Sequence, residues 1–188
     1  MPKPLVVIIA GPPCTGKTTL GKHIAAELHL PFIHKDGIKE LLFDTLGWKD
    51  RAWSRSLGAA SMTILFHFVE IQLRAGQPFI VESNFAPPLS TTSFLELKEQ
   101  YDFEPFQIQC QTEGQVLFER FKQRAESGER HPGHVDRVSY EEFKSVLLKG
   151  KHEVLDIGGT LFEVDTTDFA SIDYKKLLDA IRGAAQAL

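Results

Sequence analysis

The stretch that most constrains this chain is Gly11-Pro12-Pro13-Cys14-Thr15-Gly16-Lys17-Thr18, which fits G-x-x-x-x-G-K-[ST] at every fixed position. It directly follows Leu5–Ala10, an unbroken apolar and largely β-branched run of the kind a parallel sheet buries on both faces. Behind it, Leu20, Ile24, Ala25 and Leu28 recur at helical spacing and stop before Pro31. A strand, a glycine-bearing turn and a helix in that order make a phosphate cradle. The glycines let the backbone curl so that successive N–H groups point inward, and the helix adds its positive dipole end. In such a cradle Lys17 reaches the β- and γ-phosphates and the Thr18 hydroxyl binds Mg²⁺. Gly11, Pro12, Pro13, Cys14, Thr15, Gly16, Lys17, Thr18 and Thr19 are therefore the expected nucleotide-binding residues, with ATP and Mg²⁺ as the expected cofactors. Cys14 reads as a small side chain whose backbone matters, with a redox role as the alternative.

The rest of the chain repeats the same alternation. Short apolar strands are expected at Phe32–His34 and at residues 78–82, 106–110 and 161–164. Helical patterns lie between them at 36–46, 54–75, 88–100, 113–125 and 139–149, and a closing amphipathic helix at 172–187. Strands separated by helices mean repeated βαβ units, so the fold class is α/β, a five-stranded parallel sheet with helices on both faces. Residues 127–138 are polar, with two glycines and a proline, and read as part of a short lid over about 120–137 rather than a boundary. The whole chain, 1–188, is expected to be one domain.

Composition narrows the partners. Lys and Arg number 21 against 25 Asp and Glu, a net charge of −4, which argues against a broad basic surface for duplex nucleic acid while allowing a local basic cleft. No apolar run reaches the ~20 residues of a membrane span. The apolar start is too short for a signal-peptide core. Two cysteines, Cys14 and Cys110, make no disulfide framework, so a reducing, cytoplasmic setting is expected.

Switch GTPases need an N/T-K-x-D base-reading motif, and this chain has none; Asp156-Ile-Gly-Gly159 reads as a turn before the last strand. The strand at 78–82 ends in Glu82-Ser83-Asn84-Phe85. An acidic residue at that edge can hold Mg²⁺ through water, the alternative being a cap on the next connection. Thr18 and Glu82 are thus the candidate metal residues.

Taken together, GPPCTGKTT (11–19), HKDGIKE (34–40), VESNF (81–85) and the Arg-rich stretch 120–136 resemble the P-loop kinases that include polynucleotide 5′-kinase, the zeta toxins and chloramphenicol phosphotransferase. The resemblance covers nearly the whole chain and implies a three-layer P-loop fold and transfer of the ATP γ-phosphate to a hydroxyl. By resemblance Asp36 is the general base or the group that orients that hydroxyl, unless it is only the N-cap of the helix it opens. Gly37 stands where polynucleotide kinases commonly carry a second acid, which disfavours a nucleic-acid acceptor against a small polar or nucleotide-like one. Lys35 and Lys39 could hold an anionic acceptor or be solvated surface charges. Arg120, Arg124 and Arg130 are the expected catalytic arginines beside Lys17, acting from the lid on the transferring phosphoryl group, or else belong to a salt-bridged surface helix. His131, His134 and Asp136 could suggest zinc, a weaker reading than a lid. The wall for the acceptor is expected along 51–74, with Trp48, Trp53, Met62, Phe66 and Phe68, most of them core. Two alternatives stay open. One is a nucleotide-binding regulatory or toxin-like protein with a macromolecular partner; the other is a nucleoside monophosphate kinase, for which arginines are sparse in 36–75.

Overall fold

The computed structural model describes residues 3–138 and 140–188. Met1, Pro2 and Ser139, the last being the expected first residue of the helix after the lid, lie outside the described residues. The elements run β1 (Leu5–Ala10), α1 (Lys17–Leu28), β2 (Phe32–His34), α2 (Lys35–Leu46), α3 (Arg51–Ala75), β3 (Phe79–Glu82), α4 (Leu89–Tyr101), β4 (Glu104–Gln111), α5 (Gly114–Ser127), α6 (Tyr140–Lys149), β5 (Thr160–Asp165) and α7 (Tyr174–Gln186). All five expected strands are present. They form one sheet in the order β2-β3-β1-β4-β5 with every pairing parallel.

Burial on both faces follows from the alternation in β1. Leu5, Val7 and Ile9 face a core shared with Leu20 and Ile24 of α1 and Leu177, Leu178 and Ile181 of α7. Val6, Ile8 and Ala10 face the opposite side, against Leu65, Val69 and Leu73 of α3 and Phe94 of α4. Each strand residue therefore has a helix to pack against, which is why β1 reads as continuous rather than alternating hydrophobicity.

The helix α3 departs from expectation twice. It begins earlier, because Asp50 accepts a hydrogen bond from the Trp53 N–H at 2.8 Å and caps it at Arg51. By length and a best-window mean hydropathy of 1.3 it also reaches the mark for a membrane span, which the apolar runs in the sequence did not suggest. Its buried stripe, Ser54, Leu57, Ser61, Leu65, Val69 and Leu73, recurs every three or four residues along one face. That stripe is the signature of a helix lying on a core.

The strand order reverses beside β1: the chain leaves β1 for one side of the sheet and later crosses from β3 to β4 on the other. At such a point the loops beyond the carboxyl ends of the strands splay apart and leave a crevice. The loop at Gly11, the end of β2 at His34 and the end of β3 at Glu82 all meet there, with His34 opposite Glu82 in the register.

Candidate active site

A cleft of about 1270 Å³ opens at this edge. It is larger than a single small-ligand pocket needs. One end is the loop between β1 and α1. Gly11 has φ 142° and its missing Cβ would meet the Cys110 carbonyl oxygen at 2.4 Å, so only glycine passes. Cys14 and Gly16 are also left-handed, at φ 68° and 77°. That alternation turns backbone N–H groups to one side. Two bonds cage the loop from within, Thr15 Oγ1 donating to the Pro12 carbonyl at 3.0 Å and Lys17 Nζ to the same oxygen at 2.7 Å. Burial pushes the Lys17 ammonium down, and Glu82 opposes this. Of the expected loop residues, Pro13, Cys14, Gly16, Lys17, Thr18 and Thr19 line the cleft. Gly11, Pro12 and Thr15 shape the loop from beneath, with Thr15 fully buried. Burial raises the Cys14 thiol against the pull of Arg124, Arg130 and Lys17, so it stays protonated, which does not favour redox chemistry.

Thr18 Oγ1 donates to Glu82 Oε2 at 2.7 Å. A hydroxyl and a carboxylate side by side at the mouth of the loop are hard oxygen ligands of the type Mg²⁺ prefers. Glu82 caps no helix in this structure; α4 begins at Leu89.

On the other side of the loop stands Asp36. It does not cap α2: the cap is His34, whose Nδ1 accepts from the Gly37 N–H at 3.0 Å. The same ring explains Gly37, since a Cβ there would lie 2.6 Å from His34 Cε1. The Asp36 carboxylate is therefore left for the cleft, where Arg130 Nη2 donates to its Oδ2 at 2.8 Å. Withdrawal from bulk water would raise this carboxyl, but the cations beside it, Arg130 foremost and then Lys35 and Lys17, hold it well below the usual carboxylate range. It stays ionised at any physiological pH.

Arg130 is fixed by a chain of partners. Its Nη2 also lies 2.9 Å from His134 Nδ1, and His134 Nε2 lies 2.9 Å from Glu40 Oε1. A guanidinium only donates, so Nδ1 accepts and the Nε2–H donates to Glu40, which fixes the neutral tautomer. Desolvation lowers the His134 pKa in the same sense. Arg130 Nε is 3.0 Å and Arg124 Nη2 3.7 Å from Asp136 Oδ2. Arg124 Nε is buried without a hydrogen-bond partner among the described residues. Arg124 thus carries spare donors next to the phosphate loop, and the site fits a further anionic group there.

The structure brings Lys17, Thr18, Glu82, Asp36, Arg124 and Arg130 to one cleft. Arg120 also borders it but is otherwise engaged: Nη1 and Nη2 each donate at 2.8 Å, to the Thr166 and Thr167 carbonyls, and the guanidinium lies 4.6 Å from the Phe169 ring. Phe169 in turn covers Gly16, where a Cβ would meet its ring at 2.3 Å. This places Arg120 as a brace of the loop after β5, next to Phe169, which no motif singles out. Arg120 and Arg124 ride on α5, whose Leu117, Phe121 and Ala125 are buried. The mobile-looking part begins only after Gly128, and it is folded into two 3₁₀ turns, Pro132–His134 and Asp136–Val138. They dock on α2. His131 stacks on Phe43 at 5.0 Å, and the bare Gly133 admits the same ring, which a Cβ would approach to 2.7 Å. His131 and His134 pair with different carboxylates, Asp44 and Glu40, and the described residues hold no grouping of three metal-ligating side chains.

The wall opposite is α3 with α4. Met62 and Phe66 line it as expected, whereas Trp48, Trp53 and Phe68 do not. His67 stands exposed at the rim of the cleft. Lys39 is the surprise: it is 6% exposed, and its Nζ donates to Ser54 Oγ at 2.9 Å. Burial first, and Lys35 next, push its ammonium down to about 8.

A family model described as an AAA domain matches residues 6–148. The chain belongs to that family. A candidate kinase from Chloroflexus aurantiacus J-10-fl is similar in sequence and shape, 41% identical over 97% of this chain and 99% of that one, with a TM-score of 0.92. Two distant structures share the fold alone. A sugar kinase from Janibacter sp. HTCC2649 is 15% identical over 98% of this chain and 95% of that one, TM-score 0.58. The Mycobacterium tuberculosis APS kinase, in complex with AMPPNP and APS, is 11% identical over 99% of each chain, TM-score 0.62. No curated protein matches. The fold is that of P-loop kinases.

Proposed function

We propose that this protein transfers the γ-phosphoryl group of ATP to a hydroxyl of a small polar acceptor. The observation that carries the reading is Asp36: a carboxylate free of capping duty, aimed into the same cleft as Lys17 and the Thr18–Glu82 pair, and held by Arg130 at 2.8 Å. A protein that only bound nucleotide would have no use for such a group.

In this reading the acceptor oxygen bonds to the γ-phosphorus as the bond to the β–γ bridging oxygen breaks, and ADP leaves. The hydroxyl proton passes to Asp36. An acid this strong is a weak base, so Asp36 acts chiefly by accepting the hydroxyl's hydrogen bond and orienting its lone pair. The proton moves late, once the new O–P bond has made the oxygen acidic. A loose phosphoryl transition state asks for little more. Lys17 meets the charge that collects on the phosphates, as do Arg124 from the end of α5 and Arg130 from the lid that follows it. Thr18 and Glu82 would hold Mg²⁺, whose charge neutralises the phosphate oxygens when bound. The turns at Pro132–His134 and Asp136–Val138 close over the site and keep water from competing with the acceptor.

Lid closure driven by phosphate charge has a direct readout. ATP with Mg²⁺ is expected to slow amide exchange across residues 128–138, and adenosine is not, because it offers the arginines nothing to neutralise. Arg124→Ala is expected to lower kcat by about 10²-fold and ATP affinity much less, since the charge it meets grows toward the transition state. Equal protection by adenosine and ATP, with an unimpaired Arg124→Ala, contradicts the lid assignment.

A further inference from the structure

We propose that the acceptor is a compact hydroxylated anion, a carboxylate, phosphate or sulfate monoester, whose charged group is held by Lys39 and Lys35 of α2 against Gly58 of α3. This rests on the hydroxyl-kinase reading above and names its substrate class.

The argument begins with the burial of Lys39. A lysine withdrawn from water is unfavourable unless something compensates it, and chains usually supply a carboxylate. Here none is supplied. Lys39 donates to the neutral Ser54 hydroxyl and stands 5.2 Å from the Phe43 ring centroid, a contact that offsets only part of the lost hydration, and among the described residues neither Lys39 nor Lys35 forms an ion pair. The nearby acids are engaged elsewhere: Asp36 and Asp136 by Arg130, and Glu40 by His134. Glu142 is taken by Arg51 and Arg55, at 2.7 and 3.2 Å. Two ammonium groups with donors to spare therefore border the cleft.

Gly58 makes room for what they hold. A Cβ built there would stand 3.7 Å from Lys39 Nζ and 3.9 Å from Lys35 Nζ. The helix thus leaves open the spot from which both nitrogens can be reached. Ser54, one turn earlier on α3, holds the Lys39 side chain in place. This is an anion cradle built from two helices, away from the phosphate loop.

Its position limits the acceptor. Lys39 follows Asp36 by three residues on α2, so their Cβ atoms are ~5–6 Å apart on one face. A molecule with its hydroxyl on Asp36 and its anion on Lys39 has the two groups separated by only a few bonds. The chain as a whole carries a net charge of −4, so the excess of cations here is local and not a general property of the surface.

The test uses the full chain with a non-hydrolysable ATP analogue and Mg²⁺ filling the phosphate loop, so that added anions cannot bind there. Binding of sulfate, glycerate, glycerol 3-phosphate and glycerol is measured by calorimetry. The anions are expected to bind and glycerol is not, and the order among them identifies the headgroup. Lys39→Met is expected to weaken the anions by about 10- to 100-fold with the affinity for the ATP analogue unchanged, and Lys39→Arg to retain most of the binding. Gly58→Asp, which sets a carboxylate beside both ammonium groups and leaves the buried lysine in place, is expected to weaken them comparably. Glycerol bound as tightly as the anions, no anion bound at all, or anions bound equally by wild type, Lys39→Met and Gly58→Asp overturns the inference. The kinase reading fails separately: anions held through Lys39 with no hydroxyl phosphorylated from ATP would leave the cradle standing and remove the reaction.

Discussion

Lys17→Ala is expected to lower phosphoryl transfer by at least about 10³-fold, the upper range for removing one preorganised electrostatic group from a site that excludes water. Lys17 is nearly buried and reaches no carboxylate within ion-pair distance among the described residues; its Nζ is parked on the Pro12 carbonyl at 2.7 Å. That contact is with the loop's own backbone, so the ammonium sits at the floor of the cradle before any phosphate arrives and needs little reorganisation to meet one. Burial disfavours its charged form, and phosphate restores it. Truncation therefore removes charge from the place where negative charge accumulates. The Pro12 oxygen keeps its bond from Thr15, which limits the structural damage. The check is turnover with labelled ATP alongside thermal melting. A variant that melts like wild type and turns over at the wild-type rate contradicts the loop's role.

Asp36→Asn is expected to lower kcat by about 10²–10⁴-fold, the range for a positioned acid–base group, and to leave ATP affinity nearly unchanged. The amide keeps the shape of the side chain and can still accept from Arg130 through its oxygen, but it loses the charge and the site for the proton. Because the cations around Asp36 hold its carboxyl well below the usual range, it is ionised across about pH 5 to 8. The sign follows from linkage: a depressed carboxyl contributes its ion pair with Arg130 at all pH values above the unfolded pKa and loses it only as pH falls through the lower folded value. The ratio of wild-type to variant turnover should accordingly be flat over that window. A ratio that falls toward one as the medium is acidified to about pH 5 would show a base whose pKa is raised above its ordinary value of about 4, contrary to the geometry.

Much of this was legible in the residues because local and global signals agree. The run Leu5–Ala10 could only be a strand buried on both faces, and the glycines at 11 and 16 stand where close approach to Cys110 and Phe169 forbids a side chain. The order of strands and helices, and the convergence of Lys17, Thr18 and Glu82, followed from one motif and its neighbours. What the sequence hid depends on long-range contacts. Whether Asp36 caps α2 turned on the His34 ring, which takes the Gly37 N–H instead. The polar composition of 127–138 suggested a loose loop. Its fold arises from Gly133 fitting against Phe43 and from the Arg130–His134–Glu40 chain, contacts between residues some ninety positions apart. Arg120 shares its helix with Arg124, yet it is drawn to the carbonyls after β5. Lys39 has the composition of a surface residue, and only the packing of α2 on α3 buries it.

The central claim is that Asp36 directs the γ-phosphoryl group of ATP onto a hydroxyl held in the cleft. The most direct measurement incubates wild type and Asp36→Asn with γ-labelled ATP, Mg²⁺ and a panel of hydroxylated anions, and resolves label in each acceptor from label released as free phosphate. The account predicts label on an acceptor oxygen with wild type, and a fall of about 10²–10⁴-fold in that transfer with Asp36→Asn at unchanged ATP binding. Label found only as free phosphate, or carried to the acceptor equally well by the variant, would contradict it.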